Sequence, residues 1–392
     1  MPENALGAGR IQHIDLNSKA HHGKAEIGIL RDGKTLQFQL DPKLAILDCL
    51  IPGDLIAITA QHDVLLLAPA RAKQPRVPFV PEQAARWNQY VAAVRGFFNH
   101  RQFQELKTPT LVKCPGTEPN LDIFSTELKI GSRRQKLFLP TSPELHLKKA
   151  LALGAEKIFE IAPCFRNGEI TERHQPEFLM LEWYRAYDNL SSVKKDVIEL
   201  VSELAHVMKV AAPRSVKSFS VSELFKIHCD FEFSPETSIP ELKALAEKLK
   251  VDVRSAETID DFFFLIFMEK IEAHLDPHDL IFVEKYPPYQ AALARLTSDG
   301  WGDRFEVYWQ GMELANAFHE LNDPAIQRLR SQEDLDKKKQ MGKEEIFLDE
   351  EFFVCLEAGM PPSGGIALGV ERLFMALTGV KEISHTKLFP YS

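Results

Sequence analysis

Phe165-Arg166-Asn167-Gly168-Glu169, His174-Gln175-Pro176-Glu177-Phe178 and Glu182-Trp183-Tyr184 follow one another along a short stretch of this chain. The apolar run Ile158-Phe159-Glu160-Ile161-Ala162-Pro163 leads into them and reads as a strand. Phe178–Tyr184 reads as the returning strand, so a polar, basic loop joins two strands. Arg166 stands at the mouth of that loop. A guanidinium stays charged and can bridge two phosphate oxygens. Arg173 and His174 add donors, and Phe178 offers a ring that could stack on a purine. Strand, basic loop, strand is a workable clamp for a nucleotide.

A second phosphate element comes nearly two hundred residues later, in Gly364-Gly365-Ile366-Ala367-Leu368-Gly369-Val370-Glu371-Arg372. Glycines in a strand by themselves mark only close packing or a bend. Followed by Arg372 at the start of a helix, they suit a backbone that approaches a ligand. Two arginines distant in sequence could then grip one bent triphosphate from two sides.

Between these elements, Arg304-Phe305-Glu306-Val307-Tyr308-Trp309-Gln310-Gly311-Met312-Glu313-Leu314-Ala315-Asn316 reads as a hairpin turning at Gln310-Gly311. In that register Tyr308 opposes Glu313 and Glu306 opposes Ala315. Period-two alternation puts Glu306 and Glu313 on one face as diagonal neighbours. Two close acids repel unless a cation lies between them, and carboxylates plus phosphate oxygens are the usual setting of Mg²⁺. Solvated surface acids are the alternative. The Lys148-Lys149 pair reads as solvent-exposed rather than catalytic.

Residues 9–70 suggest five short strands, Gly9–Ile14, Ala25–Leu30, Thr35–Leu40, Asp54–Thr59 and Asp63–Leu67, with Asp32-Gly33 as a hairpin turn. They fit a small barrel of OB type or a β-domain of another kind. Phe38 is the one aromatic ring of this segment, whereas nucleic-acid OB faces present several for stacking. Ala70–Val80, with Pro75 and Pro78, reads as a linker. A helix is expected after Pro81, with Trp87, Tyr90, Val91, Val94, Phe97 and Phe98 on one face. Phe103–Leu111 reads as strand, Pro109, strand. Ala150–Ile161 and Ser191–Val207 read as helix-rich, Pro235–Leu249 and Ile259–His274 as two further helices, and Val354–Gly359 as a helix end. The expected architecture is α+β, with antiparallel strands flanked by helices, a small β domain over 1–75 and a catalytic domain over 76–392.

Composition narrows the function classes. The 392 residues carry a formal net charge of −9, which argues against nucleic-acid binding by bulk charge. Five scattered cysteines without a Cys-x-x-Cys pair fit reduced thiols and a cytoplasmic setting rather than zinc knuckles or a disulfide framework. The N-terminus lacks the layout of a signal peptide, and no apolar run reaches the ~18–20 residues that span a bilayer. No Ser/His/Asp triad, nucleophile elbow or Walker loop is evident. Phosphate positioning and charge neutralisation therefore fit better than a covalent enzyme intermediate.

With these motifs in order, the chain from about Pro81 onward resembles the catalytic domain of class II aminoacyl-tRNA synthetases, in their lysyl branch. Pro109 in its apolar context resembles the dimer-forming first motif, Phe165–Tyr184 the second and Gly364–Leu373 the third. Thr141-Ser142-Pro143-Glu144-Leu145-His146-Leu147-Lys148 resembles the amino-acid-binding segment, and Arg304–Asp323 is similar as well. Within the branch the chain resembles the ligases that modify elongation factor P. That likeness rests on Pro115-Gly116-Thr117-Glu118-Pro119-Asn120-Leu121-Asp122, on Glu182-Trp183-Tyr184-Arg185, and on Ala367 where tRNA enzymes show Gly.

The resemblance implies catalytic roles for Arg166 and Arg372. It implies ATP binding by Arg166, Asn167, Glu169, Arg173, His174, Phe178, Glu313, Leu314, Gly369 and Arg372. It places Mg²⁺ on Glu306 and Glu313, and a lysine or β-lysine substrate on Ser142, Glu144, Tyr184, Asn316 and Glu320. It implies a homodimer, with elongation factor P as the protein substrate. Charging of tRNA(Lys) by a lysyl-tRNA synthetase is the less favoured alternative, and a non-catalytic binding protein the third. Two departures stand out. Arg166-Asn167-Gly168 replaces the family's Arg-Asn-Glu, which shifts adenine recognition to Glu169 or backbone, and His174-Gln175-Pro176-Glu177 replaces His-Asn-Pro-Glu.

Overall fold

The computed structural model describes residues 5–15, 24–31, 34–70, 81–387 and 389–390. The chain divides into two compact units, Met1–Gln89 with Lys387–Pro390, and Tyr90–Thr386. In the first, β1 (Ala5–Asp15), β2 (Ala25–Arg31), β3 (Lys34–Leu40), β4 (Leu55–Thr59) and β5 (Val64–Ala68) form an antiparallel sheet in the order β3-β2-β1-β4-β5. A 3₁₀ turn at Ala45–Cys49 lies between β3 and β4. Ile11, Ile27, Ile29, Ile56 and Ile58 are fully buried in its core. The sheet is consistent with an OB-like domain, and its strands fall where alternation places them. The expected turn Asp32-Gly33 and linker residues 71–80 lie outside the described residues.

The second unit begins within α1 (Pro81–His100). Its stripe Tyr90, Val94, Phe97 and Phe98 is fully buried, and the Tyr90 hydroxyl donates to the Val370 carbonyl at 3.0 Å. In chain order there follow β6 (Gln104–Glu105), β7 (Ser125–Ile130), β8 (Arg133–Phe138), α2 (Glu144–Ala152), β9 (Lys157–Phe165), β10 (Glu177–Ala186) and α3 (Leu190–Met208). Next come β11 (Val216–Ser220), α4 (Val221–Cys229), α5 (Ile239–Leu249), α6 (Ile259–Lys270) and β12 (Leu280–Tyr286). The chain then runs through β13 (Gly302–Trp309), β14 (Met312–His319), α7 (Pro324–Gln340), α8 (Glu350–Gly359), β15 (Ser363–Gly369) and α9 (Val370–Thr378). Eight strands form one sheet, ordered β11-β12-β13-β14-β15-β10-β9-β6. The six inner strands are mutually antiparallel; only the outermost pairings, β11 with β12 and β6 with β9, are parallel. This is the α+β architecture expected. Among the described residues no helix is long and apolar enough to cross a membrane.

β10 shows how the sequence positions the site. Successive strand side chains point to opposite faces. Trp183 and Arg185 turn to α3, where both bond the buried Asp196: Trp183 Nε1 donates at 3.2 Å, Arg185 Nε and Nη2 at 2.6 Å each. Glu182 and Tyr184 are thereby committed to the other face. The ion pair holds the strand against its helix, so the motif Glu-Trp-Tyr-Arg sets two anchors and two site groups in alternation.

Four expectations need correction. Ala150–Ile161 is mostly not helix: α2 ends at Ala152 and β9 opens at Lys157. The strand reading of Ile158–Pro163 holds; a central strand covered on both faces buries consecutive residues, and without alternation Ile158–Ile161 read as helix as well. Phe103–Leu111 supplies only the two-residue β6. In the hairpin, Tyr308 does oppose Glu313, but Glu306 opposes Asn316 and Val307 opposes Ala315. A bulge leaves Leu314 as the extra residue, shifting the register by one. Finally, Lys148 is completely buried and Lys149 is largely so, its ammonium 2.6 Å from Asp349.

Candidate active site

Directly paired residues share a face of a sheet, so the register aligns two rows across its middle. One runs Glu182–Ala367–Asn316–Glu306, through β10, β15, β14 and β13. The next runs Tyr184–Gly365–Phe318–Arg304. Acids and large rings thus stand side by side, and Gly365 makes room for them. A Cβ there would collide with Glu320 Oε1 and with the Tyr184 ring. Ala367 sits between Glu182 and Asn316, where its methyl narrows the floor.

At one end of this face lies an acidic pocket. Ser142 Oγ donates to Glu182 Oε1 at 2.5 Å and also caps the start of α2 by accepting from the Glu144 amide at 3.0 Å. Tyr184 donates to Glu182 Oε2 at 2.9 Å. Lys148, one turn beyond Glu144, puts its ammonium 2.5 Å from Glu144 Oε1 and 2.6 Å from Glu320 Oε2. Burial and the neighbouring Glu144 push the Glu182 carboxyl up to about 8. Burial also lifts Glu320 to about 8, against the pull of Lys148. Burial and all three carboxylates keep the Tyr184 hydroxyl un-ionised. Asn316, half-buried, has its carbonyl oxygen engaged by Arg304 Nε at 2.9 Å. The predicted set Ser142, Glu144, Tyr184, Asn316 and Glu320 is therefore brought to one region.

The other end gathers the arginines. Arg372, in the first turn of α9, directs Nη2 at His174 Nε2 at 2.6 Å and Nη1 at the Glu313 carbonyl at 3.0 Å. His174 Nδ1 lies 2.8 Å from Thr171 Oγ1. With Nε2 accepting from Arg372, the proton belongs on Nδ1 and the ring is neutral. Burial, Arg372 and then Arg166 hold the His174 pKa below its usual value, so both arginines are felt at one imidazole. The Glu169 carboxylate acts on it in the opposite sense and so lies close by. Arg166 rests its guanidinium 5.1 Å from the centre of the Phe178 ring, while its buried Nε has no hydrogen-bond partner. A buried, unpaired guanidinium N–H is a strong call for an anion. Gly168 has φ +78°, a left-handed conformation that glycine takes without strain and a Glu would not. Asn167 and Arg173 are exposed, Gly369 precedes α9 as its N-cap, and the Leu314 side chain is buried.

Glu306 and Glu313 do share a face near Arg372. Glu306 accepts from the hydroxyls of Tyr286 and Tyr308 at 2.5 Å each and pairs with Arg304. A carboxylate offers about four lone-pair sites, so about one remains. Glu313 has about 40 % of its side chain open, and its nearest cation, Arg372 Nη1, is 3.8 Å away. Packing around it and the Glu306 charge push its carboxyl up to about 7. A divalent cation there would relieve that repulsion, so the pair fits one, with Glu313 as the more open ligand. Among the described residues no group of three or more His, Cys, Asp or Glu side chains is arranged to hold a metal without such help.

Sequence reasoning passed over three groups. Glu182 was hidden inside its motif, although period two with Tyr184 would have placed it in the pocket. Lys148 lacked any signal, since Glu320 closes on it from far along the chain. Burial raises the Glu118 pKa, and the charges of Glu144 and Arg166 act on it in opposite senses.

A six-stranded antiparallel core bearing one arginine after β9 and another at the start of α9 defines a synthetase-type catalytic unit of class II. The chain belongs to the tRNA synthetase class II (D, K and N) family, whose pattern matches residues 77–392. It is similar to the elongation factor P–(R)-β-lysine ligase of Proteus mirabilis, 36% identical over 308 residues, covering 76% of this chain and 92% of the relative. The ligase of the same name from Vibrio parahaemolyticus is 36% identical over 320 residues, covering 79% and 96%. That from Haemophilus influenzae is 36% identical over 299 residues, covering 75% and 90%.

Proposed function

We propose that this protein is an ATP-dependent aminoacyl ligase that activates lysine or (R)-β-lysine and transfers it to a lysine side chain of elongation factor P. The observation that carries this reading is a site with two arginines and a neutral histidine at one end and, at the other, the buried Glu182 and Glu320 with the half-buried Glu144 of α2 beside them. The acidic end suits the ammonium groups of a lysine-like substrate. Its own carboxylate then points to the arginine end, where ATP lies. That carboxylate attacks the α-phosphorus, pyrophosphate leaves, and an aminoacyl adenylate forms. Arg166 and Arg372 offset charge that builds on the phosphate oxygens, and Phe178 stacks on adenine with Glu169 nearby. Glu313, with Glu306 behind it, would hold Mg²⁺, which when bound withdraws charge from the phosphates. The ε-amine of the acceptor then attacks the adenylate carbonyl, forming an amide and releasing AMP.

Ala367 supports a β-amino acid, because its methyl shortens the floor between Glu182 and Asn316. The exposed Leu111, Leu128 and Ile130 support a homodimer. The free cysteines support a cytoplasmic location. The second reading is charging of tRNA, which needs an RNA-reading face that the five-stranded N-terminal sheet, with Phe38 as its one Phe, Tyr or Trp, supplies poorly. Labelled lysine and β-lysine, with ATP and either elongation factor P or tRNA, separate the two. Label on the protein supports the ligase, label on RNA the second reading, and no label on either refutes both.

A further inference from the structure

Lys148 is a fully buried lysine whose ammonium faces two carboxylates, yet nothing in the reaction above uses it. An ammonium taken out of water is costly unless paired, so its place in the pocket calls for a purpose. Around it stand Glu144 on its own helix, Glu320 past the end of β14, and Glu182 with Tyr184 on β10. Glu118 feels the Glu144 charge as well, but also those of Arg166 and Lys338. Three carboxyl groups stand against one ammonium, which leaves acceptors for two more. Two ammonium groups is what lysine or β-lysine brings.

We propose that Lys148 is a positioning residue for the amino acid: it holds Glu144 and Glu320 aimed so that each presents an oxygen to the substrate's ammonium groups. This inference rests on the ligase reading. Lys148 takes one oxygen of each partner, Glu144 Oε1 and Glu320 Oε2, and so fixes how both carboxylates are turned. The second oxygen of Glu320 faces the space that Gly365 leaves open. Glu320 Oε2 is buried, with the Lys148 ammonium 2.6 Å away. Lys148 itself is held protonated by Glu144 and Glu320, against its burial. Without it neither carboxylate would be held in its orientation, and Glu320 would bind its proton more tightly, so that the substrate would have to displace it.

The test compares wild type, Lys148→Met and Lys148→Arg in lysine-dependent ATP–pyrophosphate exchange from pH 6 to 9, with lysine-induced shifts in melting temperature measured alongside. The Met variant is expected to raise KM for lysine about tenfold at pH 7 and to move the acid limb of KM up by about one pH unit, a tenfold change in proton affinity. Its kcat at saturating lysine stays within about threefold of wild type, because the arginine end is untouched, and the Arg variant keeps KM within about threefold. A purely packing role would move neither the pH limb nor KM apart from kcat. A folded Met variant with wild-type KM and pH limb overturns the proposal while leaving the ligase reading intact. Should the Met variant fail to fold, the Arg variant decides: wild-type KM and pH limb support the role of the charge, and a raised KM with an unmoved limb overturns it. Wild type that neither exchanges pyrophosphate with nor is stabilised by lysine or β-lysine overturns the ligase reading, and this inference with it.

Discussion

Replacing Arg166 by Ala separates catalysis from stability in a way the geometry makes quantitative. Within the protein Arg166 has little to lose. Its Nε is unpartnered, and its aromatic contact is a guanidinium 5.1 Å from the Phe178 ring centre. A cation–π contact of that kind is worth about 0.5–1 kcal/mol at a partly exposed site. Removing a desolvated, unpaired cation offsets part of that loss. In a unit of this size the melting temperature should therefore move by no more than about 2–4 °C. Toward the phosphates the balance differs. Loss of one preorganised donor to a developing charge costs about 3–4 kcal/mol, or about 10²–10³ in rate. Lysine-dependent ATP–pyrophosphate exchange and a thermal melt on the same preparation read both terms. Exchange within about threefold of wild type would refute the phosphate role, since that corresponds to under about 1 kcal/mol. A large fall in melting temperature would show instead that Arg166 is a structural residue with partners of its own.

Two further expectations follow from the acidic pocket. Gly365→Ala inserts a methyl into the space of Glu320 Oε1 and the Tyr184 ring; overpacking of this kind costs about 1–3 kcal/mol, and if the displaced groups line the lysine pocket as proposed, KM for lysine should rise at least as steeply as stability falls. A wild-type KM would remove Glu320 and Tyr184 from the site. Glu182 and Glu320 are both raised to about 8 in the ligand-free fold. For a carboxyl raised on folding, the folded state binds more protons than the unfolded one between about pH 4.5 and 8. Stability is thus greatest below that window and declines as pH climbs through it. Lysine, which brings its own positive charges, should raise the melting temperature more at pH 8 than at pH 6. Equal increments would mean that neither carboxyl titrates on binding.

Much of the fold was readable because its signals were local. Alternation marked the five N-terminal strands, and the spacing of Tyr90, Val94, Phe97 and Phe98 marked α1. The arginine loop also carried its own context: an apolar strand before it, Phe178 after it. What stayed hidden depended on contacts distant in sequence or on an absence of contrast. Ile158–Ile161, buried on both faces, offered no period, so the same residues read both as a strand and as the end of a helix-rich stretch. The bulge at Leu314 depends on how β13 and β14 settle against their neighbours, and no turn residue announces it. Lys148 read as a surface lysine because two adjacent lysines on a short helix normally are. Only Glu320 and the sheet beneath reverse that reading.

Glu144 and Lys148 both belong to α2, a helix of nine residues, whereas Glu182 and Glu320 come from the sheet layer. Half of the pocket's polarity is thus detachable. Under the proposed function, exchanging one short segment would re-tune which amino acid is admitted, while the hydrogen-bonded ladder of the sheet keeps its alignment. For anyone seeking to redirect such a ligase toward a new side chain, that segment is the natural place to graft.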